Sequence, residues 1–146
     1  MRKFLRIVSI ILVMALLPVM PANATENTTR TSLFFNAFWV GINPVDHDTL
    51  EVWFDVVATG TMDKLGVSSI KVQRSSDASN WTTVHNYVKH YNSYFVCEDT
   101  SAHDGCLTCT TVTNYYYRAK VTFYAEKDGG IGEHVMYTKV IALGTP

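Results

Sequence analysis

Apolar and polar side chains alternate without a break from Tyr115 to Ala125. Tyr115, Tyr117, Ala119, Val121, Phe123 and Ala125 share one phase, and Tyr116, Arg118, Lys120, Thr122 and Tyr124 the other. A period of two carried by aromatic and β-branched residues predicts a strand with one buried face. Glu126 to Glu133 is polar and glycine-rich, and a second β-like run follows from His134 to Leu143. Together they predict a long antiparallel hairpin, which the upstream segments must cover.

The same pattern, less regular, runs through the earlier chain. Ser32 to Ile42 is apolar on both phases and predicts a first strand, broken by the turn residues Asn43 to Asp48. Leu50, Val52, Phe54, Val56 and Ala58 then alternate against Glu51, Trp53, Asp55 and Val57, which places Trp53 outward. Thr61 to Gly66 reads as a single helical turn, capped by Thr61 and stopped by Gly66, carrying the chain between two layers. Ser69 to Arg74 predicts a third strand with Ile70 and Val72 inward, Ser75 to Asn80 a turn, and Trp81 to Val88 a returning strand. Tyr94 to Val96 and Leu107 to Val112 predict two short strands around a polar loop, Glu98 to Gly105. Helical periodicity is nearly absent. The expected fold is an all-β, antiparallel sandwich of about seven strands.

The N-terminus departs from this pattern. Arg2, Lys3 and Arg6 precede an apolar run, Ile7 to Pro18, and Ala22-Asn23-Ala24 offers the small-x-small signature of signal peptidase. The run is shorter than the roughly twenty residues of a membrane span and is followed by Pro21. Residues 1–24 are therefore expected to be a cleaved signal peptide, 25–30 a disordered lead-in, and 31–146 one domain. The product is expected to be secreted, extracellular and monomeric, with no membrane attachment after cleavage.

Cleavage changes the charge. Three of the twelve Lys and Arg residues leave with the leader and none of the thirteen Asp and Glu, so nine basic residues face thirteen acidic ones, a balance of −4. An acidic domain without clustered Lys or Arg is a poor match to nucleic acid, which is bound by neutralising phosphates.

The segment order resembles a fibronectin type III or related immunoglobulin-like domain over about residues 31–143. The resemblance rests on Ser69-Ile70-Lys71-Val72-Gln73-Arg74-Ser75-Ser76-Asp77, the strand led by Trp81, the Tyr115-x-x-Arg118-Ala119-x-Val121 run and the final hairpin. It implies that Tyr115 is the tyrosine that bonds back to the chain at the corner before the sixth strand. Val52 to Gly66 also resembles a group of short, secreted, single-domain proteins of Gram-positive gut bacteria with no assigned activity. That likeness implies export and fold, and no function.

Candidate chemistry is sparse. Cys97, Cys106 and Cys109 lie within thirteen residues, and in an exported protein they imply one disulfide and one spare thiol. Cys97–Cys106, Cys97–Cys109 and Cys106–Cys109 are all open; closing the first loop would stabilise the fold by roughly 2.5–3 kcal/mol. A zinc site from Cys97, His103, Cys106 and Cys109 has suitable ligand types but cramped spacing. Asp46-His47-Asp48 reads as a solvated turn rather than a cation site, and His85 and His90 as surface residues. No nucleophile elbow, His-Glu-x-x-His motif or phosphate-binding glycine loop is present, so no catalytic residue, cofactor or metal is predicted.

The remaining feature is the outward phase of the terminal hairpin. Pairing about Gly129-Gly130 sets Tyr124 near Val135, Thr122 near Tyr137 and Lys120 near Lys139. Tyr116, Arg118, Lys120, Tyr124, Tyr137 and Lys139 then share a face, with Lys71 adjacent. Tyrosines with basic residues suit a glycan, an anionic polymer or a partner protein. The expected function is a non-catalytic binding module; the alternative is a cell-envelope or self-assembling domain using sheet-edge pairing. A small hydrolase or metal-binding protein has no motif behind it.

Overall fold

The computed structural model describes residues 33–144. The expected signal peptide and lead-in fall outside this range. Among the described residues, seven strands occur in the order β1 (Phe35–Asp46), β2 (Thr49–Ser75), β3 (Thr82–Val88), β4 (Val96–Thr110), β5 (Tyr115–Lys127), β6 (Gly130–Tyr137) and β7 (Ile141–Leu143). Two single 3₁₀ turns, Lys89–Tyr91 and Ser93–Phe95, join β3 to β4. Every pairing is antiparallel and all seven strands belong to one curled sheet.

The organising element is β2, 27 residues long and bent in its middle. Its first half pairs with β1 on one edge and with β4 on the other, Trp53 standing between Gly41 and Cys106. Its second half pairs with β5 on the edge that β1 has left, and with the start of β4 and then β3 on the opposite edge. β6 and β7 extend the sheet beyond β5. The sheet thus has a first arm (β1, first half of β2, end of β4) and a second arm (β3, second half of β2, β5, β6, β7).

The inner faces of the two arms share one core. Val52, Phe54 and Val56 from the first arm belong to the same buried cluster as Ile70, Val72, Tyr117, Val121 and Phe123 from the second. Phe35 and Phe38 of β1 bring their rings to 6.5 and 5.1 Å of the Phe123 ring. Burying a large apolar side chain is worth roughly 1.5–3 kcal/mol, so these inward phases dominate the stability of the fold.

Several expected boundaries are corrected. The predicted helical turn at Thr61–Gly66 is instead part of β2. Between the pairs Val57–Ala102 and Met62–Thr100, β2 spends four residues where β4 spends one, and this irregularity is the bend. The chain therefore turns within one continuous strand of a single sheet, where a helical crossover between two layers was predicted. The predicted loop Glu98–Gly105 is the middle of β4, held because β2 pairs with it on both sides of the bend. β1 runs past the predicted break at Asn43 to Asp46; Pro44 is tolerated because β1 is an edge strand.

Two local devices hold the bend and the corner. Gly66 has φ of +153°, and a Cβ there would lie 2.0 Å from the carbonyl oxygen of Phe95. Only glycine fits such a close approach at that backbone angle. Before β5, the Tyr117 hydroxyl donates to the carbonyl of Val112 at 2.7 Å and accepts from its N–H at 3.0 Å. The corner tyrosine is therefore Tyr117, not Tyr115 as the resemblance implied. Tyr117 is buried with its ring in the core, whereas Tyr115 is half-buried under the Arg74 guanidinium, 4.4 Å from its ring centre.

Candidate functional site

The outer face of the second arm carries the predicted group, rearranged. The β5–β6 turn is made by Asp128 and Gly129, both with positive φ (50° and 76°), so Lys127 pairs with Gly130. An Asp-Gly pair in this conformation suits the tight two-residue hairpin turn. The register therefore differs by two from the expected one: Lys120 faces Tyr137, Thr122 faces Val135 and Tyr124 faces Glu133. A slip of two leaves each residue on its predicted face. β6 ends at Tyr137, so Lys139 lies beyond the strand, exposed, and does not pair with Lys120.

Arg118 is the centre of this face. Its guanidinium carbon lies 4.3 Å from the Trp81 ring and 4.7 Å from the Tyr137 ring, and its Nε donates to Gln73 Oε1 at 2.8 Å. A planar cation between two aromatic faces, anchored by a hydrogen bond, is fixed in orientation with donors still to offer. Lys120 approaches the Tyr137 ring at 5.9 Å and stands directly opposite Lys71 in the ladder. Like charges so placed repel, at a cost of a few tenths to about 1 kcal/mol. Neither lysine nor Arg118 makes an ion pair among the described residues. Tyr116 lies at the margin of the face, half-buried, opposite Ser75 and Ala142.

Tyr124 does not belong to the exposed group. It is buried, with the Lys89 Nζ lying 3.1 Å from its ring centre and its hydroxyl donating to Glu126 Oε2 at 2.5 Å. Burial, then the Glu126 carboxylate, push its pKa up to about 12. Glu126 also accepts from Lys64 Nζ at 3.1 Å, which closes this end of the face with a neutralised cluster. Trp81 and Gln73 were not expected at the site. Counting by twos along β3 puts Trp81 on the inward phase of His85 and Tyr87. The bulge that leaves Val84 unpaired, between the pairs Val72–His85 and Gln73–Thr83, reverses that phase and turns Trp81 outward.

The three cysteines are free, which corrects the expected disulfide. All three lie on β4, where an extended backbone advances ~3.3 Å per residue. Cys97 pairs with Leu65 and Cys106 with Trp53, at opposite ends of the bend, and Cys106 and Cys109 point to opposite faces. No two of them can reach the bonding separation of ~5.5 Å between Cα atoms. The same spacing keeps them from sharing a zinc ion. Cys109 is buried, and desolvation raises its pKa to about 11; Cys97 and Cys106 are exposed.

Asp46, His47 and Asp48 form the β1–β2 turn, and their ligand atoms do converge within 4.8 Å, closer than the sequence suggested. His47 Nδ1 sits 2.9 Å from Asp46 Oδ1, a bond that raises the imidazole pKa and lowers that of the carboxyl. Asp46 and His47 are exposed and Asp48 half-buried, and their mutual bonds account for the arrangement. His85 is half-buried rather than a free surface residue, its Nε2 2.8 Å from the Thr110 carbonyl, and His103 Nε2 lies 2.9 Å from the Tyr94 carbonyl.

The outer face of the first arm has the opposite character. Residues 33–63 and 96–110 contain no Lys or Arg. Asp55 stands directly opposite Asp104 on one side and Trp39 on the other. Glu51 lies four residues earlier on the same phase. Trp53 is outward as predicted, lying across Gly41, where a Cβ would come within 2.1 Å of its ring. Trp39 is half exposed, at 51%.

The chain matches no protein-family model and no curated protein. Among solved structures it is similar to a Northeast Structural Genomics Consortium target, SoR45. The TM-score is 0.41 and the identity 9%, over 75% of this chain and 83% of that one. It is also similar to the putative ApaA protein from Bordetella pertussis, with a TM-score of 0.39 and 10% identity, over 75% of this chain and 91% of that one. Neither likeness assigns an activity.

Proposed function

We propose that this chain is a secreted, non-catalytic binding module with an immunoglobulin- or fibronectin type III-like sandwich architecture, and that it binds an anionic glycan on the outer face of its second arm. The bond from Tyr117 back to Val112, and the bend of β2 that brings the inner faces of the two arms into one core, support the architecture. One observation carries the binding reading: the Arg118 guanidinium, held between Trp81 and Tyr137, lies beside the uncompensated Lys71–Lys120 pair. Two ammonium groups set against each other weaken the sheet, and an anion bridging them would relieve the repulsion. The aromatic rings offer apolar faces for sugar rings, and the guanidinium offers a planar fork to a carboxylate or sulfate.

Affinity electrophoresis through gels containing polygalacturonate or neutral dextran tests this. The protein is expected to be retarded by polygalacturonate and not by dextran, with retardation falling as salt rises. Arg118→Ala, and Lys71→Gln with Lys120→Gln, are each expected to reduce it at least several-fold. Equal migration in the two gels, or unaltered retardation of both variants, overturns the proposal.

A further inference from the structure

Among the described residues, two like-charge pairs face each other across the ladder, one on each outer face and of opposite sign. On the first arm, Asp55 faces Asp104, beside Trp39 and with Glu51 further along the same phase; on the second, Lys71 faces Lys120, beside Arg118 and Tyr137. Lys71 and Lys120 sit on the central strands β2 and β5, and Asp55 and Asp104 on central β2 and its neighbour β4, so each repulsion acts against the ladder that holds it. None of the four residues has an ion-pair partner among the described residues. The acidic face is uniform because the segments that form it, residues 33–63 and 96–110, contain no Lys or Arg.

We infer that the acidic face of one copy docks on the basic face of another, so that copies stack head to tail. The occupant follows from charge complementarity: the second copy supplies two ammonium groups and a guanidinium to a surface of carboxylates and tryptophans. Such a contact brings Lys71 and Lys120 against Asp55 and Asp104 and places cations near the Trp39 and Trp53 rings. Because the two faces are different surfaces, the contact is heterologous and leaves a free face at each end, giving open stacks rather than a closed dimer. Three strands about 4.8 Å apart and nine residues long at ~3.3 Å each present roughly 400 Å² per partner. That is about half of a standard interface, so the association is weak and reversible. It shares the basic face with the proposed glycan site but does not rest on that reading, since its test contains no glycan.

Sedimentation velocity of the purified protein at high concentration provides the test, at ionic strengths where the screening length is roughly 30 Å and roughly 3 Å. The sedimentation coefficient is expected to rise with concentration in the first condition and to stay monomeric in the second. Asp55→Lys with Asp104→Lys, and separately Lys71→Glu with Lys120→Glu, are each expected to be monomeric in both. Mixing the two variants is expected to restore association, because the untouched basic face of one meets the untouched acidic face of the other. Circular dichroism confirms that each variant is folded, and milder Asp55→Asn and Lys71→Gln variants, expected to weaken stacking at least several-fold, serve if either is not. A monomer under all conditions, unchanged association of the variants, or a mixture that stays monomeric overturns the proposal.

Discussion

At the scale of single residues, the fold depends on a few contacts whose chemistry is not interchangeable with that of their neighbours. Tyr115 and Tyr117 share a phase and a side chain, yet only Tyr117 bonds back to Val112. Tyr117→Phe is expected to lower the free energy of unfolding by about 1–2 kcal/mol, and Tyr115→Phe by under about 0.5 kcal/mol, in urea titrations. The cysteines differ in the same way. A buried thiol with its pKa raised to about 11 holds almost no thiolate at neutral pH, so Cys109 should resist alkylation in the native protein. Mass spectrometry is expected to find Cys97 and Cys106 labelled before unfolding and Cys109 only after it. The disulfide expectation failed for a reason that composition cannot express: the residues between the cysteines form strand, which holds them apart instead of looping them together.

At the scale of elements, the inward phases were legible and the joints were not. Leu50 to Ala58, Ile70 with Val72, and Tyr117 to Ala125 are buried on the alternation read from the chain. Long apolar periods report local geometry, and local geometry decides which side of a strand is wet. Irregularities depend on partners far away in sequence. The polar residues Glu98 to Asp104 look like loop until the bend in β2 supplies their neighbours, and the bulge at Val84, which sets the face of Trp81, exists only in the pairing with β2. Tyr124 looks outward until Lys89, from the 3₁₀ turn after β3, folds over it. Half of the candidate site, Arg118, Lys120 and Tyr137, was therefore visible in one hairpin, while Trp81 and Gln73 came from pairing that a single strand does not announce. The joint in β2 makes its own demand. Gly66→Ala forces a Cβ against the Phe95 carbonyl and strains the backbone, and is expected to cost at least about 2 kcal/mol, read as a lowered denaturation midpoint.

At the scale of the whole molecule, charge is sorted by face rather than mixed. The few ion pairs among the described residues lie at the β1–β2 turn and at Lys64–Glu126, away from the centres of the two faces. The central pairs on both faces are repulsive. Added salt screens them, so the melting temperature of the dilute monomer is expected to rise between low and moderate ionic strength. A fall measured by differential scanning calorimetry would indicate that attractive contacts dominate instead.

The bend in β2 has a mechanical meaning. A single backbone runs through both arms, and β4 crosses the crease alongside it, so neither arm can peel away without breaking its own central support. Breathing should be confined to the rims, and a protease in the surrounding medium would find few half-open forms to nick. For a chain whose three cysteines are all free, a crease of this kind does the work of a staple.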